Sequence, residues 1–146
     1  MSDFRQLTDD FWASPQIGVA DVAEAKAHGI ALIVNNRPEG EAPDQVPGEA
    51  IEAAARAAGL AYCAIPVTHA GFSEAQVRAM AAAIGEARGP VLAYCRSGTR
   101  STLLWALAQA AEGEDPDTIA ASAAAGGYDV APVRGLIDML AARHGS

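Results

Sequence analysis

Four residues suited to a buried strand, Val91-Leu92-Ala93-Tyr94, run straight into Cys95. The polar loop Arg96-Ser97-Gly98-Thr99 then leads to Arg100 and an apolar helical run from Thr102. This commits the middle of the chain to a strand–loop–helix unit with its loop at the carboxyl end of the strand, where α/β sheets bind ligands. Successive backbone N–H groups in such a loop, and the positive end of the helix dipole behind it, favour negative charge at the cysteine. The thiolate is the nucleophilic form of that side chain. The same ring of donors suits a tetrahedral oxyanion. Gly98 permits the tight turn, and Arg100 supplies a planar fork for a bidentate anion contact. A structural cysteine on a strand is the commoner fate of a free thiol. Two arginines, a glycine and three hydroxyl residues around it are poor material for a core.

The remaining signals alternate between strand and helix. Residues 4–7 and 11–13 read as a short hairpin or edge strands, 16–27 as a helix closed by Gly29, and 30–34 as a buried strand. Residues 39–47, with three acids and two prolines, form a loop. A helix is expected over 48–58 and a strand over 60–67. A capping box, Ser73 with Gln76, opens a further helix through Ala87. Helices over 100–111, 117–125 and 130–143 complete the chain. The order implies an α/β fold: one domain over residues 1–146, with a mainly parallel sheet covered by helices on both faces.

A net charge of −8 argues against general nucleic-acid or anionic-membrane partners. Against that background Arg96 and Arg100 make a local positive focus for small anions. The two cysteines, Cys63 and Cys95, form no disulfide framework, and a nucleophilic thiol needs a reducing compartment. With no signal-peptide pattern and no span of membrane length, a cytoplasmic location is expected. Three scattered histidines, His28, His69 and His144, have no ligand spacing, so neither metal nor cofactor is expected.

Arg5-Gln6-Leu7, Ser14-Pro15-Gln16, the segment from Val34 to Glu41 (Val-Asn-Asn-Arg-Pro-Glu-Gly-Glu), Ile65-Pro66-Val67 and the run from Tyr94 to Ser101 together resemble the DUF442 family. That family is the phosphatase-like domain of beta-lactamase-hydrolase-like proteins, whose members are labelled phosphatases or sulfur transferases. The resemblance extends through Gly127-Tyr128-Asp129. It implies a dual-specificity-phosphatase-like fold in which Cys95 is the nucleophile and Arg100 and the loop amides bind the anion. Some members are fused to a persulfide dioxygenase, which is therefore a candidate partner. Two features depart from the tyrosine-phosphatase pattern. Four residues separate Cys95 from Arg100, as in rhodaneses, where phosphatases have five. No aspartate lies between Asp44 and Asp115 to protonate a leaving alcohol; such assistance is typically worth ~10²–10⁴-fold.

Other residues are weighed beside these. Ser101 either hydrogen-bonds the cysteine sulfur or caps the helix. Ser97 and Thr99 contribute backbone amides to the anion loop, and Arg96 guides the anion or sits on the surface. Arg37 buttresses the loop, touches substrate, or is a surface arginine. His69 and Glu74 are conceivable substitute acids, with a solvated loop role and helix N-terminal charge complementation as their simpler readings. Asn35 and Asn36 suit turns. Cys63 and Trp105 read as core.

These considerations favour a cysteine-dependent sulfurtransferase acting through a Cys95 persulfide, with a small anionic sulfur donor and a thiol acceptor. The alternative is phosphomonoester hydrolysis through a Cys95 phosphoenzyme. The third reading is an inactive anion- or protein-binding module.

Overall fold

The computed structural model describes residues 2–144. Strands β1 (Arg5–Thr8), β2 (Phe11–Ser14), β3 (Leu32–Asn35), β4 (Ala61–Ala64) and β5 (Val91–Tyr94) form one sheet in the order β1-β2-β5-β3-β4. Strand β1 runs antiparallel to β2, while β2 with β5, β5 with β3 and β3 with β4 pair in parallel. Every residue of β3 and β5 is buried, as parallel strands covered on both faces require. The two-residue side-chain period sorts them between two cores. Val91, Ala93, Leu32 and Val34 join one apolar cluster, while Leu92, Tyr94 and Ile33 join the other.

Helices α1 (Asp21–Ala27) and α2 (Gly48–Ala57) cover the second cluster, through Val22, Ala25, Ile51 and Ala55. Helices α3 (Glu74–Glu86), α4 (Thr99–Ala111), α5 (Pro116–Ala125) and α6 (Arg134–His144) cover the first. Helix α4 is the pillar of the fold. It is apolar nearly all round and lies enclosed by β2, α3, α5 and α6. Trp105 on α4 stacks on Phe11, with ring centroids 5.5 Å apart, and is core as expected.

The Ser73–Gln76 capping box is present. Two local expectations need correction. The helix expected over 16–27 begins only at Asp21. Pro15 and Gly18 interrupt the segment before it, Asp21 accepts the Gly18 N–H, and the Gln16 N–H is spent on the Arg96 carbonyl. The helix expected from residue 130 starts as a 3-10 turn, Ala131–Val133, in which the Val133 N–H bonds the Val130 carbonyl, and becomes α-helical at Arg134. Of the two readings of the first strands, a hairpin or edge strands, the hairpin holds: β1 pairs antiparallel with β2, whose far side pairs with β5. No helix among the described residues is long and apolar enough to cross a membrane.

Candidate active site

Strand β5 delivers Cys95 to the carboxyl edge of the sheet, and Gly98, at φ 90°, turns the chain into α4. Cys95 is buried, yet it belongs to neither apolar cluster. Its sulfur accepts the Gly98 N–H at 3.1 Å. The first amide inside the α4 ladder is that of Thr102, which bonds the Gly98 carbonyl at 3.0 Å. Ahead of it the Thr99 N–H reaches the Ser97 hydroxyl at a long 3.4 Å, the Gly98 N-cap offers the Arg100 and Ser101 amides no side chain, and the first turn holds no acid. Beside them the buried Ser101 hydroxyl has no partner among the described residues. A helix start with open amides, an unpaired hydroxyl and a cysteine at its mouth has the chemistry to hold an anion.

Arg100 is divided between two tasks. Glu41 on the loop after β3 takes one edge of the guanidinium, with Nη1 to Oε2 at 2.7 Å and Nη2 to Oε1 at 2.8 Å. Nη1 also donates to the Val67 carbonyl at 2.7 Å. The Nε–H and the other Nη2 hydrogen are left as a second fork. The hydrogen bonds to Glu41 are the largest influence holding Arg100 protonated against burial, with a smaller contribution from neighbouring Cys95.

Arg37 completes the brace. Only 5% exposed, it donates from Nε to the same Glu41 Oε1 at 2.9 Å and from an Nη to Gln16 at 3.0 Å. The hydrogen bonds from Arg100, with a smaller contribution from Arg37, draw the Glu41 carboxyl down to about 2 against the effect of burial. Two cations thus share one permanently ionised carboxylate, leaving the cluster net positive at the cysteine. The loop that carries Glu41 is stapled by Gln45, which donates to the Pro38 carbonyl and accepts the Glu41 N–H. Glu39 anchors the same loop by accepting the Gly48 N–H at the start of α2.

The fold gathers Cys95, Gly98, Arg100, Ser101 and Arg37 at one place. It does not bring in the side chains of Arg96, Ser97 or Thr99. All three are exposed, and the Ser97 and Thr99 hydroxyls bond each other at 3.0 Å. His69 stands exposed on the loop after β4, and Glu74 pairs with Arg78 on the surface. Ser101 is not the helix cap, since Gly98 occupies that position and Ser101 lies inside the first turn. Its hydroxyl bonds no sulfur. Arg37 is no surface residue, and it braces through Glu41 instead of through backbone carbonyls of the cysteine loop.

Asn35 and Asn36 are buried. Asn35 accepts the Arg37 N–H and donates to Tyr62, while Asn36 donates to the Ile65 carbonyl. Cys63 pairs in register with Val34, and Val34 with Ala93, so it lies two strands from the Cys95 strand. That is roughly 10 Å, beyond disulfide reach. Burial pushes its thiol up. No metal-binding cluster of His, Cys, Asp and Glu occurs among the described residues.

Glu41 and Tyr128 were given no role by sequence reasoning, although both stand in the runs that carry the family resemblance. The signal for Glu41 was present: an acid four residues after Arg37, in a loop leaving the strand beside β5.

A sequence profile for the phosphatase-like domain of beta-lactamase hydrolase-like proteins matches residues 3–112. The beta-lactamase hydrolase-like protein of Xylella fastidiosa is 42% identical over 103 residues, covering 70% of this chain and 24% of that protein. The chain thus spans about a quarter of the length of that curated relative. A solved protein from Neisseria meningitidis, described provisionally as a phosphatase, superposes with a TM-score of 0.83 at 34% identity. It covers 96% of this chain and 99% of its own. A DUF442 protein from Shewanella putrefaciens gives 0.75 at 21% identity, covering 100% and 95%.

Proposed function

We propose that this chain, which belongs to the phosphatase-like domain family of beta-lactamase hydrolase-like proteins, hydrolyses aryl phosphate monoesters through a Cys95 phosphoenzyme. The observation that carries the reading is the split guanidinium of Arg100. Glu41 and Val67 take three of its N–H groups, and the Nε edge, with no carboxylate or carbonyl partner, can take two equatorial oxygens of a phosphoryl group on Cys95. Fold neighbours lend support. A Pseudomonas aeruginosa protein, TpbA, 15% identical, was solved with phosphotyrosine, and PTPMT1, 11% identical, with PI(5)P.

In the first step the Cys95 thiolate attacks phosphorus and the P–O bond to the aryl group breaks. The aryloxide departs with the bonding pair and takes a proton from water. In the second step water attacks the thiophosphate and the P–S bond breaks. The products are inorganic phosphate and the regenerated thiolate. Arg100 and the open amides of α4 bind the equatorial oxygens through both steps, while Ser101 offers a hydroxyl at the floor of the cradle. Glu41 cannot act as general acid, because Arg100 and Arg37 hold it ionised at any physiological pH. The reading therefore selects phenolic leaving groups, which depart without a proton donor.

A second reading, sulfur transfer through a Cys95 persulfide, is favoured by the same missing acid and by the four-residue spacing between Cys95 and Arg100. The thiolate would attack the outer sulfur of a donor such as thiosulfate and expel sulfite. An acceptor thiolate or cyanide would then remove that sulfur from Cys95. Assaying wild-type protein and Cys95→Ser with an aryl phosphate, and separately with thiosulfate and cyanide, decides between them. Cys95-dependent phosphate release is expected. Cys95-dependent thiocyanate formation without phosphate release overturns the first reading in favour of the second.

A further inference from the structure

We infer that Tyr128 is a positioning residue for the nucleophile, its hydroxyl setting the orientation of a peptide whose N–H meets the Cys95 sulfur. The inference rests on Cys95 being the nucleophile, whichever group it transfers. The peptide between Ser97 and Gly98 is gripped at both ends. Its carbonyl accepts the Tyr128 hydroxyl at 3.1 Å, and its N–H donates to Cys95 Sγ at 3.1 Å. The C=O and N–H of one planar peptide point in opposite directions, so fixing the oxygen on Tyr128 aims the hydrogen at the sulfur. A peptide flanked by glycine is free to turn over. Turned over, this one would set a carbonyl oxygen against the sulfur, repelling the thiolate.

Tyr128 is itself firmly placed. It follows Gly126 and Gly127 in the turn leaving α5, with Gly127 at φ 88°, and its ring is buried. The Arg5 guanidinium lies over the ring 5.2 Å from its centroid, and Asp3 holds Arg5. Burial, more than any neighbouring charge, keeps the hydroxyl protonated and able to donate. A Cβ on Gly98 would fall on that hydroxyl, so the close approach also requires glycine there. Sequence proximity contributes nothing to this contact, since thirty-one positions separate Tyr128 from the Ser97 carbonyl it grips.

The test compares Tyr128→Phe and Tyr128→Ala with wild type. Three quantities are read: iodoacetamide alkylation of Cys95 at one fixed pH, turnover of an aryl phosphate, and inhibition by inorganic phosphate. Tyr128→Phe keeps the ring beneath Arg5 and loses only the hydroxyl. It is expected to alkylate and turn over about tenfold more slowly, as the loss of one oriented donor implies, with a melting temperature lowered far less than that of Tyr128→Ala. Phosphate inhibition should stay within about twofold, because Glu41 and Val67 still fix Arg100. Tyr128→Ala should show the same kinetic deficit together with a lower melting temperature.

A Tyr128→Phe protein at wild-type alkylation and turnover, with only Tyr128→Ala impaired, would reduce Tyr128 to packing and overturn the inference. A deficit in phosphate inhibition as large as that in alkylation would overturn it too, since the whole cradle would then have collapsed. If wild type turns over neither phosphate nor sulfur donors but its alkylation still depends on the Tyr128 hydroxyl, the proposed reaction fails and the positioning role stands.

Discussion

Glu41 holds Arg100 along one edge of its guanidinium, at 2.7 and 2.8 Å, and leaves the Nε edge without a carboxylate partner. A lysine could satisfy either the carboxylate or an incoming anion, but not both in a fixed plane. Arg100→Lys should lower kcat/KM for an aryl phosphate by about 10²–10³-fold, the cost of losing a preorganised charged donor. Steady-state kinetics would reveal it. A loss under threefold would mean that the fork does not carry the anion.

Removing the carboxylate is a milder change. Glu41→Gln leaves Arg100 and Arg37 facing each other without a counter-charge, while the side chain still fills its place. Arg100 loses its fixed orientation, so kcat/KM should fall about tenfold, and folding stability should drop on the order of 1–2 kcal/mol, allowing for solvent screening. Urea unfolding and initial rates measure the two separately. Unchanged turnover would show that Arg100 is positioned by Val67 alone.

The same carboxylate gives an acid signature. Glu41 titrates at about 2 in the folded protein, well below the ordinary 4.5. Its contribution to stability is complete above the ordinary value and drains away as pH falls toward about 2. Urea midpoints measured downward from about pH 6 should decline more steeply for wild type than for Glu41→Gln below about pH 4.5. Parallel curves would contradict the brace.

Gly98 is strained for any other residue twice over, by its φ of 90° and by the Tyr128 hydroxyl occupying the place of a Cβ. Gly98→Ala should cost roughly 1–3 kcal/mol of stability and reduce turnover at least tenfold, because the peptide must rotate its N–H off the sulfur. Thermal unfolding with activity at a temperature well below the transition separates the two effects. Full activity in a folded Gly98→Ala protein would remove this N–H from the mechanism.

Local chemistry made much of this legible in sequence. The all-apolar runs of β3 and β5 require burial on both faces, the Ser73–Gln76 box starts α3, and the cysteine–glycine–arginine loop sits where a strand gives way to a helix. The rest depended on contacts between distant segments. Fifty-nine positions separate Glu41 from Arg100, so nothing in spacing tells that an acid in a turn will divide a guanidinium in the cradle. Ser101 was misread for a related reason. A serine near a helix start suits a cap, but Gly98 had already begun the helix and left the hydroxyl inside the first turn, buried and unpartnered. The three readings of Arg37, a buttress for the loop, a contact to substrate or a surface arginine, likewise carry no sign of its partner, Glu41.

The account depends most on a covalent bond forming at Cys95 sulfur. Wild-type protein mixed briefly with an aryl phosphate, quenched in acid and examined by intact and peptide mass spectrometry should carry one phosphoryl group on the Cys95 peptide, and Cys95→Ser should carry none. A Cys95 peptide that stays unmodified under those conditions, yet gains a single sulfur atom on exposure to thiosulfate, would contradict it.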